Sequence, residues 1–310
     1  MSLTFSVRRL VSHLIYSENW NIGFSDTTVE AMLENGSLGK VHWMKHKYND
    51  RWFADPFLYK VDSKTLIVFA EELEIDYPKG RLVELHIDRS TYELRERFVM
   101  LDIDSHLSFP VYFVKKGVTY VYPENGESGK LNLYKYDCNQ HSLIWEKVLI
   151  HEALADAIIF ERGEHCFMFA TRSESSQKDC YLFSAEKIDG HYLLYSNNVF
   201  VEDSEFSRSA GNVLTSVGRY YRVVQNCSLR YGGSVNIMEL VFENDTPVRQ
   251  SFVMEIKPSG WKYNLGLHTL NFKEEMCIID GKGYLYPLFG RLYYSAFVTK
   301  MKTLLKNILS

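Results

Sequence analysis

A small set of residues suited to proton transfer or polar recognition recurs at comparable places along this 310-residue chain: Asp55, His106 with Ser108, Asp156, Arg208 and His268. Each opens, or stands just before, a short apolar run: Asp55-Pro56-Phe57-Leu58, Phe109-Pro110-Val111-Tyr112, Asp156-Ala157-Ile158-Ile159, Ala210-Gly211-Asn212-Val213 and His268-Thr269-Leu270-Asn271. The runs start 54, 47, 54 and 58 residues apart. Taken singly, an Asp at a strand start caps a turn and a His is satisfied in a core. Five such starts in register call for one cause: elements that bring them to a common polar pocket.

The elements are legible as strands. After each opening comes a turn and a second apolar run, at residues 65–70, 118–122, 165–170, 220–224 and 275–279, and the first four units add a third run at 81–87, 130–136, 179–185 and 233–240. The third runs alternate with period 2, and glycine-bearing turns such as Asn125-Gly126 and Arg162-Gly163 separate strands as tight hairpins require. Repeats of about 50 residues built from successive hairpin strands are propeller blades. The fold expected is therefore all-β, a five-bladed β-propeller. The fifth unit lacks an outer strand, and Trp20-Asn21-Ile22-Gly23-Phe24 alternates correctly to supply it, closing the ring from the N-terminus.

Both ends carry amphipathic stripes at helical spacing: Val7, Leu10, Val11, Leu14 and Ile15, then Phe297, Met301, Leu304, Leu305 and Ile308. Residues 1–17 hold two Arg and no acid, and residues 288–310 hold one Arg, three Lys and no acid. The expected organisation is an N-terminal helix over 1–17, a propeller over 18–287 and a basic C-terminal helix over 288–310. The helices are expected to pack on the propeller or on each other, with peripheral contact to an anionic membrane face as the second expectation.

Composition narrows the function. A net charge of −4 provides no cationic field for nucleic acid. No apolar run reaches the roughly 18–20 residues that span a bilayer, and no signal peptide pattern follows Arg8 and Arg9. Five scattered cysteines without a Cys-x-x-Cys pair argue against a disulfide framework or a cysteine zinc site. A cytoplasmic protein, with any membrane contact at the inner face, is the expectation.

The pocket is expected to gather further residues from the ends of the second strands: Glu71 and Glu72, Glu124, Arg172, Gln225 with Asn226, and Asp280. Carboxylates, amides and guanidinium groups together, with Trp52, Phe109, Tyr231 and Trp261 available for stacking, suit a hydroxyl-rich ligand. A saccharide is the natural ligand class. There is no phosphate loop, nucleophile elbow or His-Glu-x-x-His motif. No cofactor is expected, although Asp55, His106, Asp156 and His268 would offer ligands to a channel cation on convergence.

Ala54-Asp55-Pro56-Phe57 followed by five blades resembles the propellers of glycoside hydrolase families 43, 62 and 32. Further motifs are Trp20-Asn21-Ile22-Gly23, His106-Leu107-Ser108-Phe109-Pro110, Arg208-Ser209-Ala210-Gly211, Gln225-Asn226-Cys227, Tyr231-Gly232 and Gly266-Leu267-His268-Thr269-Leu270-Asn271. In order and spacing they resemble the N-terminal propeller domain of glucosamine inositolphosphorylceramide transferases and related propellers of bacterial polysaccharide clusters. The family 43 resemblance implies Asp55 as general base and Asp156 as the residue that tunes and orients. Its general acid, however, falls where this chain has Arg208, and a guanidinium stays protonated. The expectation is thus a saccharide-recognising propeller serving glycan assembly beside other assembly enzymes, either a binding module or an enzyme of unnamed reaction. Its ligand contacts are His106, Ser108, Arg172, Arg208, Gln225, Tyr231 and His268, and Arg208 suggests an anionic sugar or nucleotide sugar. The alternative is an inverting, furanosidase-like hydrolase with Glu71, Glu124, Glu202 or Glu205 as the acid.

Overall fold

The computed structural model describes residues 18–292 except 176, 285, 289 and 291, and the two terminal stripes lie outside the described residues. Four blades are sequential antiparallel sheets, three of them four-stranded and the third blade carrying a fifth strand. Blade 1 comprises β3 (Arg51–Val61), β4 (Thr65–Glu74), β5 (Tyr77–Asp88) and β6 (Leu94–Leu101). Blade 2 comprises β7 (Ser108–Lys115), β8 (Val118–Glu124), β9 (Leu131–Asp137) and β10 (Ser142–Ile150). Blade 3 runs through β11 (Leu154–Arg162), β12 (His165–Arg172), β13 (Asp179–Ala185) and β14 (Leu193–Leu194), with β15 (Val201–Glu202) also on β13. Blade 4 holds β16 (Leu214–Ser216), β17 (Arg219–Asn226), β18 (Ser234–Glu243) and β19 (Thr246–Ile256).

Blade 5 is made from both ends of the chain. Its inner strands are β20 (Leu270–Lys273) and β21 (Met276–Tyr284), and its outer ones are β1 (Glu18–Ser25) and β2 (His42–Trp43). Trp20 pairs with Lys282 and Phe24 with Ile278, so the predicted N-terminal strand closes the ring. One short helix, α1 (Val29–Asn35), links β1 to β2; Thr28 caps it by accepting from the Ala31 N–H.

Strand periodicity explains the packing. A blade is covered on both faces, so alternate residues enter different cores. On β4, Leu66, Val68 and Ala70 meet Ile22, Phe24 and Ile278 of blade 5, whereas Phe69 turns to Val121, Tyr134 and Tyr136 of blade 2. Comparable clusters lie between blades 2 and 3, 3 and 4, and 4 and 5. Each buried Leu, Val, Ile or Phe contributes about 1.5–3 kcal/mol, so the ring is held at every junction. The outer strands β6, β10 and β19 are not evident in the sequence because their exposed faces break the apolar alternation, as in β19, where Arg249, Ser251 and Phe252 are exposed. The fourth opening also differs from expectation, since residues 210–213 are irregular and β16 begins only at Leu214.

Candidate functional site

The inner strands of blades 1 to 3 share a local break. At Asp55, Phe109 and Asp156 the backbone takes φ of 50°, 48° and 44°, and at each the pairing with the next strand slips. A bulge with a left-handed residue costs free energy for any residue but glycine, and it re-aims the side chains next along the strand. The compensation is visible. The Asp55 N–H donates to Asp280 Oδ2 (3.2 Å), the Phe109 N–H to Asp55 Oδ2 (3.1 Å) and the Asp156 N–H to Glu124 Oε2 (2.9 Å). Each bulge is thus tied by a charge-assisted bond to a carboxylate of the preceding blade.

Around these bonds two groups of side chains assemble. In the first, Asp55 Oδ1 accepts from the Thr269 hydroxyl (2.8 Å) and lies 3.4 Å from His268 Nε2, while His268 Nδ1 lies 2.6 Å from Asp280 Oδ2. Asp280 Oδ1 accepts the His268 and Thr269 N–H groups (2.9 and 3.0 Å). In the second, Asp156 Oδ2 accepts from Arg208 Nε and from Gln225 Nε2 (2.7 Å), and Arg208 also reaches Glu124 at 3.6 Å. Tyr231 joins the two, with its ring edge-on to His268 and under the Arg208 guanidinium. Trp20, on the closing strand, stacks on His268 at 4.1 Å.

Electrostatics follows from burial. Asp55, Asp156, His268 and Asp280 are all buried. Burial pushes Asp55 up to about 7, assisted by Glu71, Asp156 and Asp280 and opposed by His268. Asp156 is raised the same way, by burial and Glu124 against the pull of Arg208. Burial would drive His268 down, but Asp280 and Asp55 outweigh it and lift the imidazole to about 9. The ring is an imidazolium at neutral pH and itself supplies the positive charge between Asp55 and Asp280. The donor atoms of Asp55, His268 and Asp280 lie within 4.8 Å of one another, so this triad, rather than the four residues expected, is where a channel cation would compete with that proton.

Of the predicted site residues, Asp55, Asp156, Arg208, Gln225, Tyr231 and His268 come together. His106 stands beside them: Gly80 N–H donates to its Nδ1 (2.9 Å), so Nε2 carries the proton and points it at Glu71 Oε1 (3.2 Å). Ser108 is buried at the start of β7, opposite Glu124. Arg172 is elsewhere; it pairs with Glu152 at 3.0 Å and lies over the Tyr181 ring. Phe109 is also unavailable for stacking, being packed edge-on to Phe57 in the core between blades 2 and 3. Among the candidate acids, Glu202 is exposed and pairs with Lys178, and Glu205 is half-buried in the turn before Arg208. Glu71 and Glu124 face the cluster. Thr269 and the Trp20 ring were missed as partners of the site, although both residues sit inside motifs that the sequence displays.

The cluster holds five carboxyl groups, on Asp55, Glu71, Glu124, Asp156 and Asp280, against one guanidinium and two imidazoles. Arg208, expected to attract an anion, is already neutralised by Asp156 and Glu124. Its chemistry is hydrogen bonding in an acid-rich pocket.

Comparison with known proteins agrees with this architecture. Among solved structures, a β-xylosidase named RS223 superposes with a TM-score of 0.55 at 9% identity, covering 74% of this chain and 91% of that one. The family 117 glycoside hydrolase Zg3597 from Zobellia galactanivorans gives 0.54 at 9% identity over 86% and 91%. The Podospora anserina α-L-arabinofuranosidase PaAbf62A gives 0.51 at 10% identity over 70% and 76%. These likenesses establish the fold. In sequence, glucosamine inositolphosphorylceramide transferase 1 of Arabidopsis thaliana is 28% identical over 252 residues, 74% of this chain and 32% of that protein. Its counterpart in Oryza sativa subsp. japonica is 28% identical over 203 residues, 62% and 27%. The chain thus matches about a quarter to a third of these relatives' length. The profile of glucosamine inositolphosphorylceramide transferase 1, N-terminal, matches residues 18–257, from the closing strand to the end of blade 4, and the chain belongs to that family.

Proposed function

We propose that the axial cluster binds a saccharide of a glycoconjugate under assembly and leaves its glycosidic bond intact. One observation carries this reading: Arg208 stands where the resemblance to family 43 puts a general acid, and its guanidinium is locked onto Asp156, the carboxylate that would tune that acid. A group that stays protonated cannot protonate a leaving oxygen. The excess of carboxyl groups favours a neutral or amino sugar over an anionic one, since the Arg208 guanidinium is already paired with Asp156 and Glu124. The relatives' name, which couples glucosamine to an inositolphosphorylceramide, is consistent with an amino sugar.

Thermal unfolding of the wild type, Asp55→Ala and Arg208→Ala with neutral sugars, amino sugars, uronic acids, sugar phosphates and nucleotide sugars tests the proposal, because a ligand of the native state raises the apparent stability. Stabilisation by an amino or neutral sugar, lost in Asp55→Ala, is expected. Stabilisation confined to uronic acids or nucleotide sugars would reverse the ligand class, and none with any saccharide would sink the reading.

A further inference from the structure

At the junction of blades 1 and 2, away from the axial cluster, Glu84 is 1% exposed, and among the described residues no lysine or arginine pairs with it. Its Oε1 lies 2.6 Å from His86 Nε2. Its Oε2 accepts from the Tyr136 hydroxyl at 2.5 Å and lies 3.0 Å from His141 Nδ1. A buried carboxylate without a cationic partner is left with an uncompensated charge, which is strongly unfavourable. By contrast Glu72 on β4 is buried against three arginines. A positive charge is therefore called for beside Glu84, either a proton on an imidazole or a cation.

The surroundings favour the cation. The outward nitrogen of His86, Nδ1, lies 3.3 Å from Glu96 Oε2, and a carboxylate that takes the far N–H of an imidazole leaves the near nitrogen's lone pair free for a metal. Phe98 stacks on His141 at 3.8 Å and 8°, fixing that ring's plane. The three donor atoms lie within 4.8 Å of one another. Two imidazoles and one carboxylate, with a fourth position open, form a zinc set, whereas calcium and magnesium call for oxygen ligands throughout. We propose that Glu84, His86 and His141 bind a zinc ion that clips the β9–β10 hairpin of blade 2 to the outer strands of blade 1. On binding, each ring presents to the ion the nitrogen nearest Glu84 and carries its N–H on the outward nitrogen, Nδ1 of His86 toward Glu96 and Nε2 of His141, and a second proton on either ring leaves to solvent as the ion takes its place. Both rings are partly exposed, which gives the ion a way in.

Equilibrium dialysis of the tag-free, metal-stripped full chain against zinc chloride, with bound zinc counted by atomic emission, tests the site, and thermal unfolding supplies a second readout. The wild type is expected to take up one zinc per chain and to unfold several degrees higher with it. Magnesium and calcium are expected to leave unfolding unchanged. Glu84→Gln and His141→Ala are expected to lose both effects; should Glu84→Gln fail to fold, His141→Ala, on a partly exposed turn, carries the test. Zinc bound by His141→Ala as by the wild type would overturn the proposal. So would no uptake by the wild type, leaving an imidazolium as the counter-charge.

Discussion

Glu71 and Glu72 are neighbours on β4, both buried, and they live in opposite electrostatic worlds. Glu72 points away from the axis and meets Arg51, Arg81 and Arg97, whose guanidinium groups hold its carboxyl below the usual range despite its burial. Glu71 points into the axial cluster and meets one imidazole, His106, in place of three guanidinium groups. The period of a strand separates them. A buried acid that serves architecture is surrounded by cations, whereas the axial acids are left with fewer cations than carboxyl groups, a state that stability alone does not favour and that a polar ligand relieves.

The largest effect should come from the architectural side. Glu72→Ala takes the carboxylate from the partly buried Arg97 guanidinium and one partner each from Arg51 and Arg81, which keep Asp50, Glu74 and Asp102, and removing the shared partner of such a network costs about 2–4 kcal/mol after allowing for partial exposure. Denaturant unfolding is expected to show that loss. A change under about 0.5 kcal/mol, the range of ordinary surface substitutions, would mean that the Glu72 cluster contributes no more than an exposed pair.

A smaller effect is expected from His268. Its pKa is raised from 6.5 to about 9, so its stabilising contribution is fully present below pH 6.5 and is lost as pH rises through about 9. The wild type should unfold at progressively lower temperature across that window, and His268→Gln should lack this component. Parallel pH profiles for the two proteins would show that the imidazolium between Asp55 and Asp280 does not stabilise the fold.

The smallest stability effect is expected from Glu71→Gln, which preserves a hydrogen bond to His106 and removes one excess acid. Its stability should stay within about 1 kcal/mol of wild type, while any saccharide-induced thermal shift falls. A large destabilisation without loss of that shift would make Glu71 architectural like its neighbour.

Much of the fold was legible in residue order. The blade openings around Asp55, Phe109, Asp156 and His268, the second and third strands, and closure through Trp20 to Phe24 follow from alternation and repeat spacing. Convergence of Asp55, Asp156, Arg208, Gln225, Tyr231 and His268 followed from that geometry. Pairing within the pocket was not legible, because which carboxylate meets which cation depends on bulges at Asp55, Phe109 and Asp156 that no local pattern announces. For the same reason Arg208 reads as an anion receptor in the sequence although Asp156 lies against it, and Arg172 reads as a channel residue although it ends its strand beside Glu152. The Glu84 cluster escaped because His141 reaches it from another blade.

The claim that the axial cluster holds a sugar without cleaving it is tested most directly by following a bound oligosaccharide through prolonged incubation with wild type, Glu71→Gln and Glu124→Gln, and assaying for new reducing ends. The saccharide is expected to be recovered intact from all three proteins. Reducing ends released by the wild type but not by one of the glutamine variants would contradict the claim and identify that glutamate as the missing acid.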